Sequence, residues 1–111
     1  MAVKHIKGSE IASLTAKEDK ISLVDFSATW CGPCKMLDPV LDKVSEDLDD
    51  RVYFYHIDVD ESPEVSSEFG IRGVPTMIVF HSGQEIERMV GFRDRNALQR
   101  QLESLADSRL D

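Results

Sequence analysis

The sequence predicts an α/β domain in which helices cover a mixed central β-sheet. Three observations support this fold class. Short apolar segments rich in β-branched and aromatic residues alternate with helical patterns through most of the chain. Two further strand-like segments then follow one another across a short turn, and an amphipathic helix comes last. Crossovers followed by a hairpin require both parallel and antiparallel neighbours, so we expect about five strands flanked by four helices.

The first part of the chain contains two strand candidates and a helix. Val3 to Ile6 is a short strand candidate, and Ser9 is expected to cap a helix that runs to about Glu18. Ile21 to Phe26 is predicted to be a strand buried on both faces, because its apolar residues do not alternate cleanly. Asp25 is the exception within that apolar strand.

A long helix is predicted to begin at Cys31. Apolar residues recur there at intervals of three and four positions, which indicates an amphipathic helix of more than three turns. They are Leu37, Val40, Leu41, Val44 and Leu48. Pro39 is expected to kink this helix, since proline removes one backbone hydrogen bond.

A third strand and a short helix follow. Val52 to Ile57 is a second interior strand candidate. Ser62 is expected to cap the next helix, with Pro63 and Glu64 in its first turn. Gly70 is predicted to end it.

A hairpin and a helix complete the predicted fold. Pro75 to Phe80 is one strand, Ser82-Gly83 is the turn, and Glu85 to Val90 is the antiparallel partner. Asp94 is expected to cap the final helix. Leu98, Leu102 and Leu105 line its apolar face together with Ala97 and Ala106.

Composition is typical of a single globular domain spanning residues 1–111. The chain has 111 residues, of which 41% are hydrophobic and 31% charged, and its formal net charge is −8. The negative charge disfavours nucleic acid and anionic membrane surfaces as partners. With no apolar leader-like segment near the start and no long apolar run, we expect a cytoplasmic protein.

Both cysteines lie in the segment WCGPCK, residues 30–35. At the start of a helix, this spacing puts Cys31 and Cys34 on one face about 5–6 Å apart, a separation that a disulfide can span. A zinc site would need two further ligands, and His5, His56 and His81 lack the spacing of metal ligands, so no metal is expected. The pair therefore predicts reversible thiol–disulfide chemistry.

The helix start also distinguishes the two thiols. Unpaired N–H groups at the helix N-terminus favour the Cys31 thiolate and lower its pKa, with a small contribution from Lys35. Pro33 stiffens the first turn, and Gly32 leaves room for a partner's backbone. Cys34 lies one turn deeper, so we expect Cys31 to attack first and Cys34 to resolve the mixed disulfide.

Two sequence segments together resemble the thioredoxin family. Residues 25–35 (DFSATWCGPCK) are similar to its active-site stretch, and residues 69–76 (FGIRGVPT) to its segment around a cis-proline. Gly83 and Gly91 also fall where the family has glycines, and the similarity covers essentially the whole chain. The resemblance implies the thioredoxin fold.

Asp25 has two interpretations from its position in the strand alone. It is either a solvated strand residue or a buried carboxylate, which is costly unless it is paired or protonated. The resemblance implies the second, with Asp25 accepting a proton from Cys34 through water. His56 stands where many bacterial relatives have a lysine, so any support for ionised Asp25 is expected to be weaker and pH-dependent; a histidine with no role is the alternative.

The resemblance also implies a docking surface and a function. The surface comprises Trp30, Gly73, Val74, Pro75, Gly91 and Phe92. The function is reduction of client disulfides by Cys31 and Cys34, with re-reduction by an NADPH-dependent thioredoxin reductase and no bound cofactor. Family clients are ribonucleotide reductase, peroxiredoxins and methionine sulfoxide reductases, and a monomer is expected.

Two other functions remain compatible with the sequence. A protein of the same fold can act as an oxidase or isomerase, which requires a more oxidising cysteine pair. A non-catalytic subunit can use the apolar surface for binding while its thiols are idle.

Overall fold

A computed structural model describes residues 2–110, so the two end residues of the predicted domain, Met1 and Asp111, lie outside the described part. The strands are β1 (Val3–His5), β2 (Ile21–Ser27), β3 (Val52–Asp58), β4 (Thr76–His81) and β5 (Gln84–Val90). The helices are α1 (Ile11–Thr15), α2 (Gly32–Leu48), α3 (Glu64–Glu68) and α4 (Arg95–Leu110), and a 3₁₀ turn (Gly8–Glu10) precedes α1.

The five strands form one mixed sheet in the order β1-β3-β2-β4-β5. β3 is parallel to both β1 and β2, whereas β4 is antiparallel to β2 and to β5. The predicted fold class is confirmed. The sheet places β2 at its centre, with Asp25 opposite His56 of β3 and Met77 of β4.

Alternation along β2 divides the core into two layers. Leu23 packs with residues of α2 and α4, including Leu41 and Leu102. Phe26 packs on the opposite face with residues that include Val65 of α3. Because successive strand residues point to opposite faces, Asp25 lies on the same face as Leu23, toward α2.

The serines expected to cap helices do not do so. Ser9 lies inside the 3₁₀ turn, and α1 ends at Thr15, three residues before the predicted Glu18. Ser62 precedes α3, but its Oγ accepts a hydrogen bond from the Gly8 N–H at 3.1 Å, and Pro63 occupies the capping position without a side-chain bond. A long-range partner has displaced the local one in this case.

The remaining helix ends and the hairpin turn agree with the sequence predictions. Gly70 ends α3 with a φ of 63°, which an L-residue with a side chain adopts only with strain. The Asp94 carboxylate accepts a hydrogen bond from the Ala97 N–H at 2.8 Å, as expected for the cap of α4. Ser82 and Gly83 both have positive φ values, as the turn of a tight hairpin requires.

Two further features concern the helices. α2 continues through Pro39 to Leu48, and the kink expected there stays a prediction. Among the described residues, no helix combines the length and hydropathy needed to cross a membrane.

Candidate active site

The cysteine pair sits at the N-terminus of α2, immediately after the loop that follows β2. Cys31 is the N-cap residue with extended backbone angles, and Pro33 lies in the first turn where its missing N–H costs no helical bond. Cys31 and Cys34 form a disulfide with a Cα–Cα distance of 5.3 Å, within the separation expected from the sequence. The Cys34 N–H donates to Cys31 Sγ at 3.2 Å, so the helix N-terminus faces this sulfur.

Exposure of the two cysteines differs only slightly. Cys31 is 4% exposed and Cys34 1% exposed, which agrees with the expected order although both are buried. Gly32 and Pro33 between them are exposed, and a Cβ added at Gly32 would meet no atom within 4 Å. A partner therefore has open access above the loop that joins the cysteines.

The segment that precedes β4 borders Cys31 from the other side. The Val74–Pro75 peptide bond is cis, as the resemblance implied. Val74 O lies 3.5 Å from Cys31 Sγ, and within residues 2–110 no backbone–backbone hydrogen bond uses the Val74 N–H or C=O. Gly73 beside it is exposed, and Pro75 O accepts from the Gly91 N–H at 2.8 Å. Next to the reactive sulfur, Val74 thus offers backbone N–H and C=O groups that no other backbone group in residues 2–110 occupies.

Four large apolar side chains are exposed among the described residues. Trp30 is 69% exposed and Phe92 is 38% exposed, so both side chains are accessible, and their role in docking stays a prediction. Met36 at 61% and Val90 at 62% were not predicted. Met36 lies outside the apolar stripe of α2, so the helical period could have identified it as an outward-facing residue.

An acidic residue anchors the tryptophan. Trp30 Nε1 donates to Asp60 Oδ2 at 2.8 Å, and the Asp60 N–H donates to Asp58 Oδ1 at 2.8 Å. Asp60 follows β3, which is parallel to β2, so the two strands end at the same edge of the sheet. The sequence carried no local signal for this contact.

Asp25 is fully buried between the sheet and α2. Its exposed fraction is 0%, and neither carboxylate oxygen has a hydrogen-bond partner within residues 2–110. Burial raises the pKa of Asp25 from 3.8 to about 7, with a smaller contribution from the Asp38 carboxylate. The buried interpretation is therefore confirmed, and the proton-acceptor role stays a prediction.

His56 lies between two carboxylates. Its Nε2 is 4.0 Å from Asp25 Oδ2 and 3.8 Å from Asp38 Oδ1. Burial lowers the pKa of His56, and the neighbouring His5 lowers it further, against the opposing effect of Asp38, Asp58 and Glu61. The lowered pKa favours the uncharged imidazole, so His56 gives Asp25 weaker electrostatic support than a permanently charged lysine would.

A cleft of about 240 Å³ opens beside these groups. Its lining comprises Ser27, Ala28, Thr29, Lys35, Asp38, His56 and Asp58. Two of these residues, Asp38 and His56, are the ionisable neighbours of Asp25, so the cleft borders the groups around the buried acid without reaching Asp25 itself. Lys35 is exposed at the same cleft.

Comparison with known proteins identifies the family. The thioredoxin family model matches residues 2–104. The chain belongs to the thioredoxin family. It is 38% identical to a thioredoxin of Rickettsia prowazekii over 96 residues, covering 86% of this chain and 91% of that relative.

Solved thioredoxin structures agree in fold. A mutant thioredoxin from Halobacterium salinarum has a TM-score of 0.83 and 40% identity, covering 92% of this chain and 88% of that one. Chloroplastic thioredoxin z has a TM-score of 0.86 and 32% identity, with 97% and 96% covered. As a member of the thioredoxin family with a redox-active cysteine pair, the protein is a dithiol oxidoreductase that acts on disulfide-containing clients.

The buried carboxylate predicts a pH-dependent stability. We expect Asp25→Asn to raise the free energy of unfolding of the oxidised protein by on the order of 2–4 kcal/mol at about pH 8.5 and to change it little near pH 4. Because the folded pKa of about 7 exceeds the ordinary 3.8, the folded state keeps a proton that the unfolded chain releases, and Asp25 lowers stability as pH rises through that window. Urea unfolding at both pH values measures the difference.

The matched control is Glu46→Gln on the exposed side of α2. It removes one carboxylate from the surface of the helix that covers Asp25 without altering a buried group, so its effect should be small at both pH values. An equal effect of Asp25→Asn at both pH values would contradict the buried, titrating carboxyl.

A histidine with a lowered pKa beside Asp25 predicts a shifted activity profile. His56→Lys would place a permanent cation near Asp25 and lower its pKa, so the acid limb of the pH–rate profile for disulfide reduction should move down by roughly one pH unit. His81→Lys, at the opposite end of β4 from Thr76, is the control and should leave the profile unchanged. Superimposable profiles for wild type and His56→Lys would contradict an electrostatic coupling between residue 56 and Asp25.

Proposed function

We propose that the protein reduces client disulfides with electrons that an NADPH-dependent thioredoxin reductase supplies. The observation that carries this proposal is the Cys31–Cys34 disulfide at a helix N-terminus, beside Val74, whose backbone makes no backbone–backbone hydrogen bond within residues 2–110. A helix end favours the thiolate, and a free strand-like backbone favours an extended peptide partner. No cofactor is held by this chain in the proposed cycle, since NADPH acts through the reductase.

The first step forms a mixed disulfide. The Cys31 thiolate attacks one sulfur of the client disulfide, a Cys31–client S–S bond forms, and the other client sulfur leaves as a thiolate. The Cys34 N–H, which points at Cys31 Sγ, stabilises negative charge on that sulfur. Lys35 is exposed at the neighbouring cleft and adds positive charge on the same side of the helix.

The second step releases the reduced client. Cys34 gives its proton to Asp25 through water, and its thiolate attacks Cys31 Sγ, which breaks the mixed disulfide and expels the second client thiolate. A carboxylate with a pKa of about 7 suits this transfer, because it can both accept and return a proton near neutral pH. The two client thiolates take up two protons, one returned by Asp25 and one from solvent, and Cys31–Cys34 is left as a disulfide. Two electrons from the reductase then restore the dithiol.

Client docking is assigned to the surface around the pair. The hydrogen bond to Asp60 holds the Trp30 side chain in place. Gly73 and Gly91 have no side chains that would block a client, and the exposed Phe92 extends the apolar area. An extended client segment would pair with the Val74 backbone in front of Pro75, as in addition of a strand. Peroxiredoxins, methionine sulfoxide reductases and ribonucleotide reductase are the client classes that we propose for a monomeric protein in the cytoplasm.

Assays with two electron donors test the disulfide-reductase activity and the proposed electron source separately. With dithiothreitol, the protein should accelerate insulin disulfide reduction, measured as turbidity. With NADPH and a thioredoxin reductase, it should couple insulin reduction to NADPH oxidation at 340 nm. Failure with both donors would contradict the disulfide-reductase function, whereas failure with NADPH and several reductases alone would contradict the proposed electron source.

The order of attack has its own test. Cys34→Ser should accumulate a mixed disulfide between Cys31 and insulin, seen on a non-reducing gel, because the resolving thiol is missing. Cys31→Ser is the matched control and should accumulate far less, since Cys34 is 1% exposed beneath it. Equal trapping by the two variants would contradict the assignment of Cys31 as the attacking thiol and Cys34 as the resolving thiol.

A further inference from the structure

Three side chains with metal-binding atoms meet behind the redox pair. They are Asp25 of β2, Asp38 of α2 and His56 of β3, and one ligand atom from each lies within 4.8 Å of the other two. His56 Nε2 is 4.0 Å from Asp25 Oδ2 and 3.8 Å from Asp38 Oδ1. Because they come from three elements, no sequence spacing could have indicated the cluster.

The cluster differs from an ordinary group of surface acids. Both oxygens of Asp25 and the Nδ1 atom of His56 are buried without a hydrogen-bond partner within residues 2–110. A buried carboxylate in that condition is stabilised by a proton or by a cation. Asp38, in contrast, is 53% exposed and lines the cleft, so a solvated ion can reach the cluster from that side.

We propose that Asp25, Asp38 and His56 form a binding site for a divalent cation, with Zn²⁺ the best match. Two carboxylates and one imidazole are donors that zinc accepts, whereas Mg²⁺ and Ca²⁺ favour oxygen alone. Bonds of about 2.1 Å hold neighbouring ligand atoms roughly 3–4 Å apart, so a small rotation of Asp38 and His56 completes the geometry. Water would fill the remaining positions.

Local charge also favours a cation. Asp58 borders the same cleft, and both Asp58 and Glu61 act electrostatically on His56. Lys35 lines the cleft as well and opposes cation binding with one positive charge. The chain as a whole carries a formal charge of −8, so the net field attracts cations.

Cation binding at this site would affect the redox cycle, an inference that rests on the proposed function. A cation bound to Asp25 occupies the carboxylate that would accept the Cys34 proton, so resolution of the mixed disulfide would slow reversibly. Binding to the oxidised protein does not depend on that function. The two ideas can therefore fail separately.

Calorimetric titration of ZnCl₂ into the oxidised protein tests the site. The disulfide state is chosen because zinc binds cysteine as the thiolate, which the oxidised pair does not provide. We expect one saturable site in wild type. Asp38→Asn and His56→Gln should each weaken it by at least about tenfold, since even loss of a group that only supports a ligand costs about 10–100-fold.

Two matched variants complete the experiment. Glu46→Gln removes a carboxylate elsewhere on α2, and His81→Gln removes a histidine at the far end of β4; both should bind like wild type. Asp38 is exposed, so Asp38→Asn leaves the core intact and remains informative if the other site variant is less stable. Absence of saturable binding in wild type, or equal binding by Asp38→Asn and wild type, would overturn the proposal while leaving the insulin assays unaffected.

Discussion

Burial of an ionisable carboxyl group in the central strand is the constraint on which the site depends. Asp25 occupies a position where every neighbour in β2 is buried, and no donor satisfies its oxygens within the described residues. Its charged form is therefore unfavourable, and its pKa rises to about 7. The ionised carboxylate lowers the stability of the folded protein at alkaline pH. The same raised pKa lets Asp25 gain and lose a proton near neutral pH, in the range of thiol–disulfide exchange.

The sheet topology brings this acid and the cysteines together. β2 carries Asp25 and leads directly into the loop before Cys31, while the parallel neighbour β3 carries His56 and ends beside Asp60. β4 runs the opposite way, so its first residues, after the cis Val74–Pro75 bond, reach the same edge. The reactive sulfur, the Val74 backbone that we propose as the client-binding segment, and Trp30 with its Asp60 partner thus share one end of the sheet. The buried acid and its two ionisable neighbours lie beneath them.

Local patterns were sufficient to predict the elements, and long-range contacts explain what was not predicted. Apolar periodicity located α2, and residue alternation along β2 could have placed Asp25 on the same side as Leu23, because strand faces alternate. The cap expected from Ser9 was wrong because Ser9 lies inside the 3₁₀ turn, and the cap expected from Ser62 was wrong because its Oγ accepts a hydrogen bond from the distant Gly8 N–H. Asp38 and Asp60 were not identified as site residues because their partners lie on other elements, which a single sequence does not pair.

The most direct measurement of this account is the pKa of Asp25 itself. The ¹³Cγ chemical shift of Asp25, followed through a pH titration of the oxidised protein in buffer with a chelator, reports its protonation without interference from thiols or metal ions. The account predicts a midpoint of about 7. A midpoint near the ordinary value of about 3.9 would show that Asp25 is solvated or paired and would contradict the central claim.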